Sequence, residues 1–82
     1  MSELSPEVVA RIHVLNGEFH ALRVTATRMA SGATVHRLNT CLQVASVALR
    51  LVEKSGATSE TERLLGIAAE HLREGRVLMA QH

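Results

Sequence analysis

A heptad repeat of apolar residues dominates the first third of the chain. Its members follow one another at alternating spacings of four and three residues and are Val8, Ile12, Leu15, Phe19, Leu22, Ala26 and Met29. This spacing places all seven side chains on one stripe of an α-helix and is typical of helices that pack against another helix. Ser5 can cap such a helix and Pro6 suits its first position. We therefore predict a helix over residues 5–30 with one buried stripe.

A second apolar stripe begins at Val35, out of register with the first. Continuing the first repeat would instead place His36, Thr40 and Gln43 in the core. The chain must therefore kink, shift phase or turn between the two stripes. We predict a second helix over residues 33–54. Its stripe consists of Val35, Leu38, Leu42, Ala45, Leu49 and Val52.

A short turn separates the second helix from a third. Gly56 is expected to end the second helix as a left-handed cap. Ser59 and Glu62 have the spacing of a capping box, so we predict the third helix over residues 59–80. Because the turn is short, these two helices are expected to form an antiparallel hairpin. The sequence as a whole predicts one all-α domain over residues 1–82.

The second helix is apolar on two sides in its C-terminal half. At about 100° per residue, Val44, Val47 and Leu51 lie opposite the main stripe. A hairpin covers only one side, so the first helix or a second copy of the chain must cover the other. The simplest solution is a homodimer in which two hairpins form a four-helix bundle, and a monomeric three-helix bundle is the alternative. The predicted core and dimer residues are Leu38, Leu42, Val44, Val47, Leu49, Leu51, Leu65 and Leu72.

The composition excludes several classes of function. Nine basic and eight acidic residues are not segregated into an arm or a tail, and Phe19 is the only aromatic residue, so we expect no nucleic-acid partner. The most apolar stretch, residues 44–52, is interrupted by Ser46 and Arg50 and is too short for membrane insertion. Cys41 is the single cysteine and no residues have zinc-ligand spacing, so we expect no disulfide, metal or cofactor and a cytoplasmic location.

One histidine on the outer face of the second helix can carry chemistry. His36 projects about 150° away from the main stripe, one turn before Thr40. An exposed neutral imidazole can attack a phosphoryl group, and an aspartate of a partner can then take the phosphate. We therefore predict His36 as a phosphoacceptor with Arg37, Asn39 and Thr40 in supporting roles. The alternative is an ordinary solvated histidine.

The residues around His36 also resemble a known family. Residues 36–43, HRLNTCLQ, followed by a helical hairpin, resemble the dimerisation and histidine-phosphotransfer domain of sensor histidine kinases. In its commonest version the acceptor His is followed by an acidic residue, two variable residues, Thr or Asn, often Pro, and Leu, which His36, Thr40 and Leu42 match. A second version continues with Arg, a branched apolar residue, polar residues and Leu-Gln. It is matched by His36, Arg37, Leu38, Leu42 and Gln43.

The resemblance covers residues 30–80 and implies a homodimer that exchanges phosphate with a receiver domain or the ATPase domain of a kinase. Helix one would then be the coiled-coil segment that feeds signals into the domain. Arg37 departs from the pattern by replacing the acidic neighbour that assists proton transfer, and Cys41 replaces the frequent proline. These 82 residues contain no ATP-binding motif and are not a complete kinase, so the resemblance implies a detached phosphotransfer and dimerisation module, an excised fragment, or a decoy that binds kinase or receiver domains.

A function from a different class is also compatible with the heptad repeat. A non-catalytic helical adaptor or small chaperone would use the apolar face of residues 8–29 to bind a partner helix. In that case His36 would have no role, and charged substitutions at Leu15 or Leu22 would abolish binding.

Overall fold

The chain folds into three helices, α1 (Pro6–Thr27), α2 (Ala33–Ser55) and α3 (Thr61–Ala80). The computed structural model describes residues 3–30 and 32–81, so Met1, Ser2, Ser31 and His82 of the predicted domain lie outside the described residues. No strand occurs in the described part, which confirms the all-α prediction. The three helices form an elongated bundle of 44 × 17 × 17 Å. None of them is long and apolar enough to cross a membrane.

Helix α1 ends three residues before the predicted boundary and is separate from α2. At its start, the backbone N–H of Val8 donates to Ser5 Oγ at 3.3 Å, and Pro6 occupies the first helical position as expected. After Thr27 the chain leaves the helix, and α1 then packs against both α2 and α3. Of the kink, phase shift and turn that the sequence allows, the chain therefore adopts the turn.

The α2–α3 connection begins at Gly56. Its φ of 69° lies in the left-handed region, where glycine has no Cβ to clash, and its N–H donates to the carbonyl of Val52 at 3.1 Å. Its ψ of −158° is extended rather than helical, so the chain leaves α2 at once. This confirms Gly56 as the residue at which the helix ends, although not with a left-handed helical conformation.

The predicted capping box at Ser59 and Glu62 is wrong. Helix α3 begins at Thr61, and the backbone N–H of Thr58 donates to Thr61 Oγ1 at 2.9 Å. The Thr61 side chain is buried, so its hydroxyl serves the turn, while the Glu62 carboxylate accepts a 2.9 Å hydrogen bond from Arg11 of α1. The Glu62 side chain, which the local pattern assigned to helix capping, therefore forms an ion pair with Arg11 of α1 instead.

The core lies where the stripes of the three helices meet. Helix α1 contributes the middle of its heptad repeat, so the repeat packs against the protein's own hairpin and completes a three-helix bundle. Phe19 and Met29 of the repeat are half-buried against this core. The deepest side chains belong to the hairpin and are Leu38, Val52, Leu65 and Leu72. The remaining core includes Ile12, Leu15, Leu22, Ala26, Leu42, Ala45, Ala48, Leu49 and Ala68.

Two glycines of α3 have contrasting surroundings, and we expect opposite effects from replacing them. A Cβ at Gly75 would lie 3.1 Å from Cδ1 of both Leu22 and Leu38, whereas Gly66 has nothing within 4 Å. Gly66→Ala is expected to raise the free energy of unfolding by about 0.5–1 kcal/mol through helix propensity alone. Gly75→Val is expected to lower it by about 1–3 kcal/mol through overpacking. Urea denaturation followed by circular dichroism measures both, and equal stabilities of Gly75→Val and Gly66→Val would contradict this packing.

Candidate functional site

His36 lies in the first turn of α2 with an exposed side chain. Its backbone N–H donates to the carbonyl of Gly32 at 3.0 Å, which holds the residue in the helix. Within the described residues, no side-chain hydrogen bond involves its imidazole ring. The structure therefore presents this ring to solvent from a regular helix, as the apolar pattern predicts.

The three residues predicted to support His36 are exposed but do not converge on its ring. Thr40 Oγ1 donates to the His36 backbone carbonyl at 3.1 Å, so its proton is engaged by the helix itself. Asn39 lies on the α1 side of α2, where it lines a groove between the two helices. Arg37 lies on the α3 side, two turns before Val44 and in line with it, and Val44 lines the groove between α2 and α3. The supporting groups thus flank the imidazole on different sides.

An apolar face lies on the same outer side of α2 as His36. We call it the α2–α3 face and define it by Val44, Val47, Leu51, Leu64 and Ile67, which line a groove of about 350 Å³. Val47 is 48% exposed and Leu51 is 45% exposed. Helix α1 packs elsewhere on the hairpin and contributes no residue to this groove. Of the two alternatives that the sequence left open for covering the second side of α2, packing by α1 therefore does not occur at this face.

The other predicted core residues are less exposed than Val47 and Leu51 of this face. The five leucines on the inner sides of the hairpin helices are buried and are Leu38, Leu42, Leu49, Leu65 and Leu72. Val44 is half-buried at the edge of the groove. The sequence therefore identified both apolar sides of α2, and within the chain only the inner side is covered.

A groove between α1 and α2 went unrecognised in the sequence. It has a volume of about 350 Å³, and its lining includes the apolar side chains of Phe19 and Val47 as well as Arg23 and Arg50. Among the described residues, neither arginine takes part in an ion pair. The sequence does contain an indication of this positive groove, because no Asp or Glu occurs between Glu18 and Glu53. The groove therefore has a positive character that the near-neutral net charge conceals.

Cys41 is buried, with 6% of its surface exposed, rather than half-buried as its position on the stripe suggested. Burial raises the pKa of its thiol, and the negative charge of Glu74 raises it further, while Arg37 acts in the opposite direction. The thiol is therefore protonated at neutral pH and is a poor nucleophile. Its role in this structure is to fill space between α2 and α3.

The other described histidines do not form a site. His13 and His20 are exposed on α1, and His71 is half-buried on α3 with Nδ1 2.8 Å from the carbonyl oxygen of Ile67. Because a carbonyl can only accept, Nδ1 of His71 carries the hydrogen. Over residues 3–30 and 32–81, no three His, Cys, Asp or Glu residues come together in a way that could hold a metal ion.

The chemistry available on the outer side of α2 is that of one exposed imidazole beside an uncovered apolar face. Such an imidazole can accept a proton or a phosphoryl group, and the apolar face can bind another helical surface. The resemblance to histidine-phosphotransfer domains rests on residues 36–43 and on the hairpin that follows them. Comparisons with protein-family models, with curated proteins and with solved structures find no match to this chain.

Proposed function

We propose that this protein is a phosphotransfer and dimerisation module of the two-component type, which accepts or relays phosphate on His36. The observation that carries the proposal is the exposure of His36 on a regular helix, next to the α2–α3 face. A phosphoacceptor must be reached twice, first by the phosphodonor and then by the acceptor of the phosphate. An imidazole that is exposed on the outer side of a helix meets that requirement.

The chemistry needs a partner at each step. A neutral ring nitrogen of His36 attacks the phosphorus atom of the donor, the donor P–O bond breaks, and the ring loses its other proton to solvent. The donor is ATP bound to the ATPase domain of a separate kinase, and the acceptor is an aspartate carboxylate of a receiver domain. Arg37 is close enough in sequence to lend positive charge to the phosphate. It cannot act as the base that an acidic neighbour would supply.

The module would act as a homodimer with a four-helix core. The α2–α3 face supports this because an exposed row of Val and Leu side chains on a small domain is a typical interaction surface. An 82-residue chain also gains stability from self-association, since its own core is small. The two hairpins would contribute four helices, with the two α1 helices outside them.

A labelling experiment tests the assignment of His36. The protein is incubated with radiolabelled phosphoramidate, a small donor of phosphoryl groups to histidine, and label that is stable to base and lost in acid is counted. We expect the His36→Gln variant to lose at least about nine-tenths of this label, because the attacking nitrogen is gone. The exposed His13 and His20 provide controls, and His13→Gln and His20→Gln are expected to keep the label.

The labelling result can contradict the proposal in two ways. Label that stays unchanged in His36→Gln, or that falls equally in His13→Gln, would show that His36 is not the acceptor. Because His36 is exposed, its substitution is expected to leave the helical circular dichroism signal unchanged. A loss of label therefore reports on chemistry and not on folding.

The second candidate is a non-catalytic adaptor, and the uncovered α2–α3 face favours it in a revised form. The heptad face of α1, which the sequence assigned to a partner helix, packs into the protein's own core, since Leu15 and Leu22 are buried. Charged substitutions there would unfold the chain and could not test binding. An adaptor would instead use the α2–α3 face, and it would be a monomer that stays unlabelled on His36.

A further inference from the structure

The groove between α1 and α2, which we call the α1–α2 groove, runs along its helices for about three turns. Its α2 side extends from Asn39 to Arg50, or about 16 Å at 1.5 Å per residue. Its α1 side consists of Phe19 and Arg23. Phe19 is half-buried and Leu42 is buried, so apolar surface lies between the polar side chains. A long, open groove of this kind suits a helix better than a small molecule, which needs to be enclosed.

The two arginines of the α1–α2 groove lie on its opposite sides, about one turn apart. Asn16 Nδ2 of α1 donates to Glu53 Oε1 of α2 at 3.4 Å, which sets the register of the two helices. The helices are antiparallel, so Phe19, three residues after Asn16, lies across from Arg50, three residues before Glu53, and both line one surface depression. Arg23 follows Phe19 by four residues, or about 6 Å along the helix.

The charges of the α1–α2 groove are unbalanced, unlike those between α1 and α3. Between α1 and α3, Arg11 pairs with Glu62 and Arg76 pairs with Glu18, so each arginine meets a carboxylate of the other helix. Among the described residues, the two arginines of the α1–α2 groove take part in no ion pair. Glu53, the acidic residue next after them on α2, accepts its hydrogen bond from α1 at the end of the groove. The groove therefore has the cations of such pairs without the carboxylates.

We infer that the α1–α2 groove binds an acidic amphipathic helix of a partner protein, whose carboxylates pair with Arg23 and Arg50. A guanidinium group binds a carboxylate through two parallel hydrogen bonds, so two arginines on opposite sides select a helix with acidic residues on both flanks. The apolar stripe between those flanks would lie on Phe19 and Leu42. The groove shares Val47 with the α2–α3 face but lies between different helices, and its occupant has no part in phosphate transfer.

Peptide binding followed by fluorescence anisotropy tests this inference. The probe is a fluorescein-labelled peptide of about three heptads, with Leu at the core positions and Glu at the flanking positions. A second peptide carries Lys in place of every Glu. We expect the wild-type protein to bind the Glu peptide at least about tenfold more tightly than the Lys peptide at low salt, and added salt to reduce the difference.

Reversal of charge in the groove is expected to reverse this preference. Arg23→Glu and Arg50→Glu are each expected to raise the dissociation constant of the Glu peptide about tenfold, since each replaces an attraction by a repulsion. The double variant is expected to prefer the Lys peptide. Arg28→Glu combined with Arg73→Glu makes the same change of net charge at exposed positions outside the groove and is expected to keep the wild-type preference. His36→Gln is expected to bind both peptides as the wild type does.

Four results would overturn the inference. The first is wild-type protein that binds the two peptides equally, or that does not bind the Glu peptide at about 1 mM protein. The second is a double groove variant that still prefers the Glu peptide. The third is an equal loss of preference in the control double variant, since net charge alone would then select the peptide. The fourth is equally tight binding of polyglutamate, which has no apolar stripe. None of these results bears on labelling of His36, so the proposed phosphotransfer is tested separately.

Discussion

Leu65→Ala is expected to lower the free energy of unfolding by about 2–5 kcal/mol, the largest effect on stability that we predict. Leu65 is 0% exposed in the core about one turn after the start of α3, where truncation removes packing and leaves a cavity. A single core of this size supplies only about 3–5 kcal/mol. The variant is therefore expected to be largely unfolded at physiological temperature.

Urea denaturation followed by circular dichroism at 222 nm measures this effect. Val77→Ala on the same helix provides the control, because Val77 is 49% exposed and its truncation is expected to change stability by less than about 0.5 kcal/mol. Equal losses for the two variants would mean that Leu65 is not in the core. The comparison should be made at one protein concentration, since self-association adds to apparent stability.

Val47→Glu is expected to convert the dimer to a monomer. Val47 is 48% exposed in the single chain and is one of the residues that define the α2–α3 face. In the proposed dimer its replacement would bury an unpaired carboxylate in the apolar middle of the interface, at a cost of about 2–4 kcal/mol. This corresponds to an increase of about 30- to 1,000-fold in the dissociation constant. Light scattering after gel filtration measures the molar mass.

Val24→Glu is the matched control for the interface. Val24 is 50% exposed, is also in a helix and undergoes the same change of side chain, but it lies on α1 and outside the α2–α3 face. We expect this variant to keep the wild-type molar mass. A monomer from both variants, or a dimer from both, would show that Val47 is not at the contact. Unchanged circular dichroism establishes that each variant is folded.

The helices themselves were predictable from the sequence because helical periodicity is a local property. The stripe containing Leu38 and Leu49 and the second apolar side at Val47 both follow from a rotation of about 100° per residue. The exposure of His36 follows from the same rotation, as it lies opposite the main stripe. These features need no information about other parts of the chain.

The details that were not predictable depend on contacts between distant residues. Glu62 has the spacing of a capping residue, but Arg11 lies 51 positions earlier in the chain and pairs with it. Arg23 and Arg50 line one groove although they belong to different helices, so their shared positive character is not visible along either helix. The depth of Cys41 likewise depends on how closely α3 approaches α2.

The sequence by itself determined that this protein is three helices with one continuous apolar stripe each, plus a second apolar side on α2. Only the tertiary structure decided how those stripes pair. The break in register near Gly32 is compatible with a kink, a phase shift or a turn, because each satisfies the local spacing. Folding α1 back buries its heptad stripe against the inner side of the hairpin. One helix cannot cover both sides of α2, so the side containing Val47 stays exposed.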